Sequence, residues 1–184
     1  MLKKLILGNL LLALLVGVGS AVAQEGDLQA EMPVLVTSSG QALDAFTVQM
    51  LLGRAGIENT YDELAEADDI TEYGTVVIAF GASIKGFGSA GITAETELAR
   101  TQAIIDTAKE QGIAVIGVHI GGEERRGGLS EQFVQLVATN ADYLIVTEAG
   151  NRDGYFDEVA EQNGTPLVLI SQPLDTGTAI AELF

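Results

Sequence analysis

Four basic side chains, Lys85, Arg125, Arg126 and Arg152, cluster in stretches rich in glycine, and with Ser38, Ser39, Ser83 and His119 they form the chain's reactive inventory. Their chemistry is that of holding an anion. A guanidinium presents a planar fork that matches a carboxylate or phosphate, and glycine leaves backbone amides free to approach the same oxygens. Ser38, Ser39, Gly40 and Gln41 follow a β-branched run, where hydroxyls and amides at a strand end suit an oxyanion. Two blander readings compete. The arginines could pair with Glu123, Glu124, Glu148 and Asp153, and residues 37–41 could simply cap the first helix.

Catalytic patterns are incomplete. Ser83 follows Gly81 and Ala82 as in a nucleophile elbow, but Lys85 stands where that pattern needs glycine. His119 is the single histidine and comes too early for the order serine, acid, histidine, so a triad of Ser83, His119 and Glu148 is a poor match. No catalytic residue is assigned. The segment 81–91 lacks the Gly-Lys-Ser/Thr entry of a phosphate-binding loop. With one histidine and no cysteine, a transition-metal site would lack its usual ligands, and residues 151–154 lack the spaced carboxylates of a calcium loop. The expectation is no metal and no cofactor. The ligand-binding candidates are therefore Ser38, Ser39, Gly40, Gln41, Ser83, Lys85, His119, Gly121, Gly122, Glu123, Arg125, Arg126, Glu148 and Asn151.

The elements that must position these residues alternate between short β-branched runs and longer helical patterns. Strands are predicted at 33–37, 58–61, 75–80, 113–119, 143–147 and 166–170. Helices are predicted at 42–55, 130–138 and 153–162, with a closing turn at 178–183. The clearest helix runs from an N-cap at Thr93 to Gly112, with Ala94, Leu98, Ile104, Ile105 and Ala108 in helical spacing. Residues 81–92 read as a long glycine-rich loop. Strands apolar on both faces require helices on both sides, so the fold class is α/β, a three-layer sandwich with a mostly parallel sheet. Its order is flavodoxin-like, 2-1-3-4-5, or Rossmann-like, 3-2-1-4-5-6, and the short second strand favours the former. All the candidate loops then leave the carboxyl ends of strands, the edge at which such sheets bind ligands.

Compartment and charge narrow the function classes. Lys3 and Lys4, an apolar run to Val18 and the small-x-small Ala21-Val22-Ala23 read as a signal peptide over residues 1–23, with an uncleaved membrane anchor as the alternative. A polar leader follows at 24–32, then one α/β domain at 33–184. The expected location is periplasmic or extracellular. Cleavage would remove both lysines and leave seven basic against 26 acidic residues, a charge of −19, which disfavours nucleic acid and anionic membranes as partners.

The segments 34–41, 85–91, 119–127 and 142–151 together resemble an uncharacterised family of exported bacterial α/β proteins, a domain of unknown function. That resemblance implies the same fold and export and lends no catalytic residue. Residues 37–41 also look like the hydroxyl-rich first loop with which flavodoxins hold a phosphate. The leading expectation is an extracytoplasmic binding or sensing protein that holds a small anionic molecule at the carboxyl edge of the sheet. The alternatives are an interaction module that docks on a membrane transporter or receptor, with the Arg125/Arg126 pair as anchor, and a hydrolase or transferase with His119 as general base.

Overall fold

The computed structural model describes residues 29–184, so the signal-peptide and anchor readings of residues 1–23 lie outside the described residues, as does most of the polar leader. Six strands form one sheet: β1 (Val34–Ser39), β2 (Asn59–Tyr61), β3 (Thr75–Phe80), β4 (Ala114–His119), β5 (Tyr143–Thr147) and β6 (Leu167–Ile170). Every pairing is parallel and the order is β2-β1-β3-β4-β5-β6. This is the flavodoxin-like order, extended by a sixth strand at the edge. The helices are α1 (Asp44–Arg54), α2 (Ile84–Ala90), α3 (Ala94–Gln111), α4 (Leu129–Ala138), α5 (Tyr155–Asn163) and α6 (Thr176–Ala181). Among the described residues, no helix is long and apolar enough to cross a membrane.

Alternation along the central strands splits the core into two layers. Leu35, Val76, Ile78 and Phe80 face Ile104, Ile105, Val134, Val137 and Phe156 on α3, α4 and α5. Val34, Val36, Val77 and Ala79 face Ala45, Val48, Leu52 and Ile180 on α1 and α6. A parallel sheet buried on both faces needs this run of apolar residues without a polar alternate. Local signals set the best-defined helix. The Thr93 hydroxyl accepts the N–H of Thr96 at 3.2 Å, and Gly112 ends α3 in the left-handed region at φ 71°.

Two expectations fail here for local reasons. The stretch 81–92 is not an open glycine loop, because Ile84–Ala90 forms α2. Ser83 caps it by accepting the N–H of Gly86 at 3.0 Å, Phe87 is buried beside Phe133, and Gly91 closes it with φ 71°. Low glycine propensity is overridden by a cap at each end and one apolar anchor. The first helix starts at Asp44 rather than 42, because β1 runs on to Ser39 and the next two residues turn through positive φ. Leu43 precedes α1 with no side-chain cap bond, so the hydroxyls at 37–39 do not cap it.

The two glycines of α2 have opposite surroundings. A Cβ on Gly86 would collide with the carbonyl oxygen of Gln41, whereas one on Gly88 would meet nothing within 4 Å. Gly88→Ala should therefore raise stability by roughly 1 kcal/mol through helix propensity, while Gly86→Ala should lower it by about 1–3 kcal/mol, read from urea unfolding midpoints.

Candidate functional site

The strand order reverses between β1 and β3, and the crevice beyond their carboxyl ends is the expected ligand position in this class of sheet. Here main chain fills it. Gly81 donates its N–H to the carbonyl of Ser39 at 2.9 Å, Ser83 donates to that of Gly40 at 2.8 Å, and Gln41 pairs with Ala82 in an isolated antiparallel bridge. Gly40 holds φ 101° and Gln41 φ 59°, and a Cβ on Gly40 would strike the carbonyl of Gly81. The two loops are clipped together at a distance that only glycine permits.

A buried ion pair lies beneath the clip. Glu97 is fully buried, and its Oε1 accepts the Gly40 N–H at 2.9 Å, the Gln41 Nε2 at 3.0 Å and the Arg100 Nη2 at 2.9 Å. Arg100 Nε donates to Glu97 Oε2 at 2.8 Å, Nη1 to the Ala65 carbonyl at 2.6 Å and Nη2 to the Ser38 carbonyl. Thr101 donates to the Ser39 hydroxyl at 3.1 Å. Two donors of the first loop thus bind a carboxylate of the chain itself. Ser38 and Ser39 are buried strand residues rather than loop hydroxyls open to a ligand.

The sequence reading gave neither Arg100 nor Glu97 a place in the site. The available signal was their spacing: residues 97, 100, 101, 104, 105 and 108 share the buried face of α3, so a charged pair sits on an apolar stripe. Ala94 and Leu98, expected on that stripe, are only partly buried.

The remaining candidates gather beyond β4 and β5, mostly engaged with one another. Arg126 has a side chain only 8% exposed, held by Glu131 and Asp153 at 3.5 Å each and by the Gly150 carbonyl at 3.1 Å. Its guanidinium lies over the rings of Tyr155 and Phe156 at 4.5 and 4.8 Å. Arg125 is 38% exposed and reaches Asp44 at 3.3 Å. Arg152 approaches Glu123 at 4.0 Å in the open, and Lys85 is exposed on α2. Asn151 is structural: its Oδ1 accepts the Phe156 N–H at 2.9 Å and its Nδ2 donates to Asp157 at 2.7 Å. Glu148 is exposed and accepts from Ser171 at 3.3 Å. Gly121 and Gly122 begin the turn that carries the arginines, with the Gly121 carbonyl accepting from Thr147 at 2.5 Å.

His119 is fully buried between Phe80 and Phe156, with ring centroids 5.3 and 5.7 Å away. Its Nδ1 lies 3.0 Å from the Phe80 carbonyl, an acceptor, so the proton sits on Nδ1 of a neutral ring. Burial pushes its pKa down, opposed by the Phe80 carbonyl and by Asp44. Its Nε2 and the Nε of Arg126 are both buried without a hydrogen-bond partner among the described residues.

Among the described residues, four surface grooves lie away from this edge. A shallow one of about 780 Å³ runs between α3, α4 and α5 past Leu98, Gln102, Gln135 and Tyr155. Another of about 880 Å³ follows β6 from Tyr143 to Leu169, and two smaller ones open beside Asn59 and beside Gly177. None of the four is lined by a candidate ligand-binding residue.

A family model described as a domain of unknown function (DUF6305) matches residues 31–184. Among solved structures, a cysteine-to-alanine mutant of flavodoxin from Pseudomonas aeruginosa is 17% identical, with 83% of this chain and 94% of that one covered at a TM-score of 0.40. No curated protein matches.

Arg100→Met alone should cost about 3–5 kcal/mol, because it strands a buried carboxylate, and Glu97→Leu should cost a similar amount. The double variant should lose clearly less than the sum of the two, as a double-mutant cycle in urea will measure. His119 gives a second readout. Its folded pKa is below the ordinary 6.5, so the unfolded chain takes up a proton that the folded chain does not. Its stabilising contribution is full above about pH 6.5 and declines as pH falls below it; His119→Asn should flatten that part of the stability profile.

Proposed function

The chain belongs to the DUF6305 family, and we propose that it is an extracytoplasmic binding protein whose carboxyl edge docks on a partner protein, such as a membrane transporter or receptor. The observation that carries this reading is the exposure of Leu43 and Ile84, at 82% and 80%, at the starts of α1 and α2. Large aliphatic side chains stand almost entirely in water on the two segments that the Gln41–Ala82 clip holds rigid. Preorganised apolar anchors of this kind lose little entropy on association. Lys85 and Arg125 lie on neighbouring segments and supply a polar rim. Arg126 is too enclosed by its own partners to serve as the second anchor of an arginine pair.

A small anionic ligand is the second reading. It is favoured by the unpartnered Nε of Arg126, a donor on the side of the edge that also carries Arg125. A hydrolase or transferase has less support, since Ser83 is a helix cap and His119 is enclosed by aromatic rings.

Residues 24–184, immobilised and incubated with detergent-solubilised envelope from the source cells, should retain a membrane protein, and Leu43→Ser/Ile84→Ser should lose it. Thermal melting against small carboxylates and phosphates runs in parallel. A selective rise in the midpoint that Arg125→Ala abolishes would displace docking in favour of the anion reading.

A further inference from the structure

Leu43, just before α1, and Phe46 and Met50 on its outward face are spaced i, i+3 and i+7 on one stripe opposite the buried Ala45, Val48 and Leu52. A helix covering a sheet ordinarily turns polar residues outward. Here Phe46 and Met50 are 48% and 41% exposed, and the stripe runs on from Leu43 at the carboxyl edge. Phe46 meets Tyr61 of β2 edge-on, with centroids 5.9 Å apart, which joins the stripe to the adjacent edge of the sheet.

The exposed charges beside β2 are acidic. Glu58, Asp62 and Glu63 flank β2 and are all exposed, and the Tyr61 hydroxyl donates to Glu63 at 3.1 Å, whereas the acids from Glu66 to Glu72 lie on the other face of the sheet, where Ala65 and Ile70 pack with α3. The exposed Arg54 ends the stripe one turn beyond Met50, and an apolar stripe beside an acidic rim selects its partner by both properties. A second copy would bring two such rims together on a chain of net charge −17, and an anionic membrane would be repelled in the same way.

Resting on the docking reading above, we infer that the α1 stripe with its acidic rim receives a cationic amphipathic segment of the partner, apolar on one side and flanked by lysine or arginine. The apolar side covers Phe46 and Met50, and the cations face Glu58, Asp62 and Glu63. Such an interface associates quickly at low salt and weakens as salt screens the rim.

The test uses isotope-labelled residues 24–184 and three synthetic peptides: leucine/lysine amphipathic, leucine/glutamate amphipathic and serine/lysine. The leucine/lysine peptide should bind saturably, shift backbone resonances over α1 and residues 58–63, and weaken with salt; the leucine/glutamate peptide should not bind. Phe46→Ser/Met50→Ser alters exposed side chains and should keep the melting temperature while weakening the peptide at least about tenfold. Equal binding of the serine/lysine peptide, shifts confined to other surfaces, or indifference to the double variant would overturn the inference. Concentration-dependent dimerisation abolished by the same variant would also overturn it, assigning the stripe to a second copy. Envelope capture separates the two readings. Capture sensitive to Leu43→Ser/Ile84→Ser without leucine/lysine binding removes only the α1 assignment, whereas peptide binding with no envelope partner removes the edge-docking reading.

Discussion

The carboxylate of Glu97 is the contact on which the arrangement at the carboxyl edge depends. It lies out of water between a guanidinium, a backbone amide and a side-chain amide, so its charge is matched on every side. Desolvating an ion pair is expensive, and it is tolerated when geometry and hydrogen bonding are nearly complete, as they are here. In return, Glu97 and Arg100 tie α3 to the end of β1 and to the carbonyl of Ala65, elements far apart in the chain. The left-handed turn at Gly40 and Gln41 is held from below by this pair and from the side by the β3 loop.

One consequence follows for binding. In an open parallel sheet, the place where the strand order reverses is vacant by construction, because neighbouring loops turn to opposite faces. Here the loops after β1 and β3 hydrogen-bond to each other, and the donors that could have met an external anion are engaged by an internal one. The same closure makes the edge a firm platform. Rigid backbone beneath Leu43 and Ile84 favours recognition by surface contact over enclosure.

Charge and hydrophobicity act together on that surface. A chain with 26 acidic and 9 basic residues repels most polyanions and its own copies, so an exposed apolar stripe can persist without driving self-association. The acids beside β2 also protect a short edge strand from pairing with other chains, a common device at sheet edges. The opposite edge, β6, carries no charged residue, and Leu169 stands partly exposed there.

The alternation of β-branched runs and helical patterns was enough to read the layered α/β class, the six strands and the capped helix from Thr93 to Gly112, because periodicity and caps are local properties. It was not enough to read α2, where Gly86 and Gly88 suggest a loop until the Ser83 cap, the Gly91 turn and the burial of Phe87 are seen together. Counting cations along the chain found Arg125 and Arg126 but could not tell that one is half open and the other enclosed by Glu131, Asp153 and two rings. It also passed over Arg100, whose role depends on Glu97 and on carbonyls 35 and 62 residues away in sequence. Local sequence determined the elements, since caps and periodicity act over a few residues. Only the tertiary structure decided which charges meet which, since burial and hydrogen-bond geometry depend on segments that the fold alone brings together.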